Sequence, residues 1–201
     1  KDTALASAGR YIVLRLRLAG APTILTLTYP GDMVGYGMWS NGMSIFRNSL
    51  YSRAPGTGSL SLWQWALLAL SGGSVHEAAE IARRFGLNGC GNCLLGDAAG
   101  ESLSVEFNAG GVGIVPARDG ISTHANHPVA AETAPWEQEP APGTLADSRW
   151  RMERLRELLH AESGRLTPQR ALQCLADHAR YPNGLCRHAS PDLLTTAAVI
   201  A

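Results

Sequence analysis

The residues best equipped for chemistry lie in Thr123-His124-Ala125-Asn126-His127-Pro128. Two imidazoles and a carboxamide could ligate a metal, move a proton or donate hydrogen bonds to a developing anion. On an extended chain, residues three apart face opposite sides. His124 and His127 are therefore poorly placed to share a metal, whereas His124 and Asn126 share a face. No HExxH helix supplies the alternative zinc geometry, and no metal ligand is assigned. Taken alone, Asn126 reads as a turn residue leading into Pro128, a frequent use of asparagine.

Two further segments carry polar groups of interest. In Gly37-Met38-Trp39-Ser40-Asn41-Gly42-Met43-Ser44-Ile45-Phe46-Arg47-Asn48, Asn41-Gly42 is hairpin-turn chemistry. Asn48 ends a strand, where it either caps the edge or presents its amide to a pocket. The segment Asp147-Ser148-Arg149-Trp150-Arg151-Met152-Glu153-Arg154 opens a helix. Arginine at a helix N-terminus opposes the macrodipole, so this cluster reads as an anion-facing group or as a solvated basic face. Four cysteines in 201 residues make no disulfide framework. Cys90 and Cys93 form a CxxC without a second pair at zinc-finger spacing, which leaves two ordinary thiols. Cys186, beside Arg187 and His188, has the best claim of the four to lie near a pocket.

Strands and helices must position these groups. Tyr11–Leu18 alternates apolar residues with Arg15 and Arg17, the period of a half-buried strand. It pairs through Ala19-Gly20 with the β-branched run Thr23–Thr28 as a hairpin. Two short strands over Met38–Asn48 follow, then helices at Leu60–Leu70 and Val75–Phe85. Asn92–Val115 returns to strands, and Ile121–Asn126 is expected to be one more. Ala131–Gly143 is a Pro- and Glu-rich loop. Ser148–His160 is a helix capped by Asp147 or Ser148, with Leu155, Leu158 and Leu159 inward. Thr167-Pro168 starts another over Gln169–His178. Strands, helices, strands, helices without strict βαβ alternation predict an α+β fold with antiparallel sheets.

Composition narrows the class. The chain has 17 basic and 17 acidic residues, a formal charge of zero, which argues against nucleic acid or an anionic membrane as partner. No apolar run approaches the ~18 residues of a membrane span, and Lys1–Arg10 has no signal-peptide layout. A cytoplasmic location is expected. A chain of this length buries about 70% of its unfolded surface, enough for a core without a metal or disulfide staple. One domain over residues 1–201 is expected, incomplete at both ends because the sequence stops inside the apolar, strand-like run Thr195–Ala201.

In their order, the YPG turn at Tyr29, GMWSNGMSIFRNSL, LLGDAAGESLSVE, THANHP, DSRWRMERLRELL and LADHARYPNGLCRH resemble one family. It is the penicillin-biosynthetic acyl-coenzyme A:6-aminopenicillanic acid acyltransferase family, a cysteine branch of the N-terminal-nucleophile (Ntn) hydrolases. Cholylglycine hydrolases and acid ceramidase are more distant relatives of that design. The resemblance spans nearly the whole chain and implies a four-layer αββα sandwich of two mostly antiparallel sheets. It also implies an autoprocessed cysteine amidohydrolase or acyltransferase acting on a small-molecule amide or thioester, with no cofactor. The nucleophilic cysteine, and the Arg and Asp that follow it, would lie upstream of Lys1. By resemblance, Asn126 and Asn48 donate to the oxyanion and Arg151 lies near the cysteine, a role Arg149 suits less well. His124 and Trp39 would border the substrate, Trp39 standing where relatives more often carry Asn. The family places no nucleophile at Cys90, Cys93, Cys174 or Cys186. A homo-oligomer is compatible with the sequence. Two other readings stay open: a degenerate homologue kept as a ligand-binding or interaction module, and a metal-dependent hydrolase using the histidines.

Overall fold

The computed structural model describes residues 2–190 and 193–200. In chain order the elements are β1 (Asp2–Thr3), a 3-10 turn (Leu5–Arg10), β2 (Ile12–Leu16), β3 (Ile24–Thr28), β4 (Tyr36–Trp39), β5 (Ser44–Asn48) and β6 (Gly56–Thr57). Helices α1 (Leu62–Ala69) and α2 (Val75–Phe85) follow, then β7 (Asn88–Gly89), β8 (Gly91–Gly96), β9 (Ser102–Asn108) and β10 (Gly111–Pro116). After a 3-10 turn at Ala134–Trp136 come α3 (Thr144–Ala161), α4 (Pro168–Leu175), β11 (His188–Ser190) and β12 (Leu193–Thr195).

Seven strands form one antiparallel sheet in the order β10-β9-β8-β5-β4-β3-β2. The expected β2–β3 hairpin is present, with Ile12 opposite Thr28 and Leu16 opposite Ile24. Gly42, at φ 89°, turns β4 into β5; this left-handed conformation suits glycine. A three-stranded sheet, β1-β12-β11, joins the two ends of the described chain, with Asp2 opposite Thr195. The fold is thus mixed α/β with antiparallel sheets.

Alternation decides what each face of the large sheet carries. Ile45, Cys93, Leu95, Leu103, Val105 and Phe107 are buried in the hydrophobic core beneath α1 and α2. Helix α2 sets Val75, Ala78, Ala79 and Ala82 into it at i, i+3, i+4 and i+7. A Ser61–Gln64 capping box starts α1, and the Trp65 indole N–H donates to Ala78 O at 2.8 Å, tying the helices together. On the opposite face, Asn48, Asn92 and Glu106 stand in register across β5, β8 and β9. Toward β2 that face is open and apolar, with Val13, Leu25 and Met38 exposed.

Three expectations need correction. Ile121–Asn126 is not a strand. Its backbone is bonded by scattered partners: Asn48 Nδ2 donates to Ala125 O, Tyr51 N–H to Asn126 O, and Asn126 N–H to Ser148 Oγ. A segment satisfied in this way needs no ladder. Helix α3 begins at Thr144 after Gly143, not at an Asp147 or Ser148 cap, because both side chains are bonded elsewhere. The run Thr195–Ala201 carries strand only through Thr195, and Ala201 lies outside the described residues. Among the described residues no helix is long and apolar enough to cross a membrane.

Candidate active site

The polar row on β5, β8 and β9 is the foundation. Glu106 has no exposed surface. Its carboxylate pairs with His124 Nε2 at 2.6 Å and accepts the N–H groups of Val129 at 2.8 Å and Ala130 at 3.0 Å and the Thr133 hydroxyl. Burial pushes its pKa up, but hydrogen bonds from His124 and Thr133, the charge of His124 and the Ala130 N–H outweigh this, leaving it below the ordinary value. One buried carboxylate thereby fixes residues 124–133 over the sheet.

Ser148 fixes the same segment from the other side. Its hydroxyl accepts the N–H of Asn126 at 2.8 Å and of His127 at 3.1 Å and lies 3.0 Å from His127 Nδ1, to which it can donate. Burial first, then the charges of His124 and Arg149, lower the His127 pKa from 6.5 to about 4. His127 is therefore neutral at pH 7, as its bond from a hydroxyl requires.

Asn48, Asn126 and Arg151 come together at the end of β5. The amides of Asn48 and Asn126 both donate to Ser49 O, at 3.2 and 2.9 Å. Arg151 donates to Asn126 Oδ1 at 2.9 Å and to Asp147 at 3.0 Å, and Asp147 also takes Arg187 at 3.1 Å. Asn48 Oδ1 accepts from Asn92 Nδ2 at 3.0 Å. The two candidate donors differ. Asn48 Nδ2 is engaged by Ala125 O as well as Ser49 O, which uses both its hydrogens. Asn126 is half-buried, and Ser49 O takes only one of its side-chain hydrogens. Its main-chain N–H is held by Ser148, so the second side-chain hydrogen is the one left for a ligand.

Beside this cluster lies a cavity of about 220 Å³ lined in part by Tyr36, Arg47, Asn48, Ser49, Cys90 and Asn92. Arg47 pairs with Asp32. Of the remaining candidates, His124 borders the cluster, its Nδ1 lying 3.4 Å from Asn48 Nδ2. Trp39, expected at the substrate, is 1% exposed and packed in the core under the helices. The side chain of His124 is equally enclosed, 1% exposed against Glu106. Arg149 forks onto Glu137 with both contacts at 2.7 Å. Burial raises the Cys93 thiol to about 12 and raises those of Cys90 and Cys174, so none of the three is a ready thiolate. Sequence reading missed Glu106 and Ser148. Glu106 is legible only as one polar residue in an alternating strand, and Ser148 as a cap.

The family model for acyl-coenzyme A:6-aminopenicillanic acid acyl-transferase matches residues 8–198. Conjugated bile acid hydrolase from Clostridium perfringens has a similar structure. A mutant of it whose second residue is changed from cysteine to alanine superposes with a TM-score of 0.56 at 12% identity, over 88% of this chain and 70% of that one. Another variant of the same hydrolase gives 0.54 at 13%, over 87% and 70%. Penicillin V acylase from Agrobacterium tumefaciens gives 0.46 at 16%, over 87% and 61%. No curated protein matches the sequence.

Proposed function

Because the chain belongs to the acyl-coenzyme A:6-aminopenicillanic acid acyl-transferase family, we propose that it is the body of an autoprocessed cysteine amidohydrolase or N-acyltransferase. The nucleophile is a chain-initial cysteine outside these 201 residues. Its α-amine, with a pKa of about 8, takes the thiol proton. The thiolate adds to an amide or thioester carbonyl, and the tetrahedral adduct collapses to an acyl-enzyme. The amine or thiol leaves with that proton, and water or an acceptor amine then takes the acyl group.

The observation that carries this reading is the half-buried Asn126 amide, held by Arg151 and Ser49 with one N–H to spare. A fixed donor costs no reorganisation when negative charge develops, and losing one typically lowers turnover ~10²–10³-fold. Asn48, whose hydrogens are taken, positions Ser49 and Ala125 instead of donating directly. The four-layer sandwich belongs to the same reading: the open face at Val13, Leu25 and Met38 suits a second packed sheet. The substrate is a small-molecule amide or thioester, with no nucleic acid and no membrane as partner.

The spent Asn48 amide also suits a second reading, a degenerate homologue that binds a ligand without turnover. Intact mass and N-terminal sequencing of the full-length product decide between them. A mature chain starting at Cys supports the enzyme, and a chain without one supports the binding module. In the Cys-started enzyme, Asn126→Ala should lower turnover ~10²–10³-fold with folding intact. An unchanged rate would remove Asn126 from the mechanism.

A further inference from the structure

Away from the Asn126 cluster, the loop after α4 gathers three ligand-type side chains. His178, Cys186 and His188 place one ligand atom each within 4.8 Å of one another. The two Nε2 atoms are 3.0 Å apart, and Cys186 Sγ is 3.6 Å from His188 Nε2. In a tetrahedral zinc site with Zn–N of about 2.0–2.1 Å and Zn–S of about 2.3 Å, ligand atoms stand about 3.4 Å (N to N) and about 3.6 Å (N to S) apart. Two of the three spacings are near those a bound ion would set, and the third pair lies within 4.8 Å. Both contacts to His188 Nε2 are also of hydrogen-bond length, which holds the three ligand atoms together before an ion binds.

The backbone holds this arrangement independently of the side chains. Cys186 N–H donates to Asp177 O at 3.1 Å, and His188 N–H to Pro182 O at 2.8 Å. Arg154 forks onto the Asp177 carboxylate at 2.8 and 3.2 Å. Gly184 permits the fold-back: a Cβ there would lie 2.6 Å from Ala179 O. The Tyr181 ring stands beside both imidazoles, its centroid 5.6 Å from that of His188 and 6.4 Å from that of His178. His178 and His188 are exposed and Cys186 is half-buried, so an ion has access.

We propose that His178, Cys186 and His188 form a binding site for a zinc-class divalent ion, with solvent as the fourth ligand. Two imidazoles and a thiolate are a borderline-soft set of the kind zinc takes and magnesium or calcium does not. Its place in the fold gives it a structural role. Arg187, between two of the ligands, pairs with Asp147, which pairs with Arg151. Binding clamps both backbone flanks of Arg187 and steadies the far end of that chain of contacts. This site stands whether or not the protein turns over an amide.

The test uses the full-length protein, stripped with chelator and titrated with Zn²⁺ and separately with Co²⁺. One equivalent of zinc should bind, and cobalt should give tetrahedral d–d bands with a thiolate-to-cobalt charge-transfer band. Cys186→Ser should abolish the charge-transfer band, and His178→Gln and His188→Gln should each weaken zinc binding about 100-fold or more. Cys90→Ser should leave all of this unchanged. Absence of stoichiometric zinc binding by the wild-type protein, or a charge-transfer band that survives Cys186→Ser, overturns the site. The cobalt spectrum of the wild type needs no variant to fold.

Discussion

The two faces of strands β5, β8 and β9 solve opposite problems with the same backbone. Under the helices, Ile45, Leu95 and Leu103 sit opposite one another and fill space. Burial of this kind is non-directional and roughly proportional to area. On the other face, Asn48, Asn92 and Glu106 hold chain segments by directed hydrogen bonds. The first face makes the sheet stable. The second decides where residues 124–133 lie, because a buried carboxylate with four partners is satisfied in only one arrangement. A site can thus be built on a surface that adds little net stability of its own, most of its polar groups being paired, with Asn92 Oδ1 buried and unbonded.

The sharpest way to break this comparison is Glu106→Ala against Leu95→Ala. Removing Glu106 leaves His124, Thr133 and two backbone N–H groups without their buried partner and should cost about 3–5 kcal/mol. Leu95→Ala should cost a comparable 2–5 kcal/mol, roughly, by leaving a cavity. Amide exchange separates the two at similar loss. Glu106→Ala should deprotect residues 124–133 by local opening, and Leu95→Ala should lower protection throughout the sheet. Uniform loss in both would show that the polar face is not a separate positioning device.

The next effect is pH-dependent. His127 takes up a proton near 6.5 when unfolded but only near about 4 when folded. The unfolded chain binds more protons between those values, so stability should fall as pH drops from about 6.5 to 4, by about 2 kcal/mol from this group once solvent screening is allowed for. Denaturant titrations of wild type and His127→Gln at pH 7 and at about pH 4.5 should show the wild type losing more. Glu106 acts at lower pH: its folded pKa is depressed, so its contribution is present above the ordinary carboxylate value and is lost as pH falls through the folded one. Equal pH slopes for wild type and variant would mean that His127 is not held neutral.

Smaller still is Ser148→Ala, which orphans two backbone donors and should cost about 1–3 kcal/mol. In the enzyme it should also lower turnover, since it frees the turn that aims Asn126. A stability loss with unchanged turnover would confine Ser148 to packing.

How much of this is legible in the sequence follows from the kind of interaction. The β9 strand can be read because Leu103, Val105 and Phe107 alternate with Ser104, Glu106 and Asn108, and α2 because its apolar residues repeat at helical spacing. Periodicity reports burial on one face and nothing about direction. It therefore cannot show that Glu106 takes His124, or that the Ser148 hydroxyl serves a turn 21 and 22 positions earlier. Ile121–Asn126 reads as a strand for the same reason, its composition suiting one while its partners are scattered side-chain and backbone groups and not a neighbouring strand. Asn48 and Asn126 are singled out together by family resemblance, not by spacing. Trp39 is carried over by the same route, and its side chain packs in the core.

The contact between Arg151 and Asn126 Oδ1 also settles which way a carboxamide points. Oxygen and nitrogen of an asparagine are nearly the same size, and shape alone rarely distinguishes the two flips. Here a guanidinium claims the oxygen and a carbonyl claims one hydrogen of the nitrogen, so the reversed amide would set like against like at both ends. The side-chain dipole is locked with its positive end toward the Ser49 side. Asn126→Asp, nearly identical in shape, would keep the partner on Arg151 and replace that positive end with an oxygen facing Ser49 O.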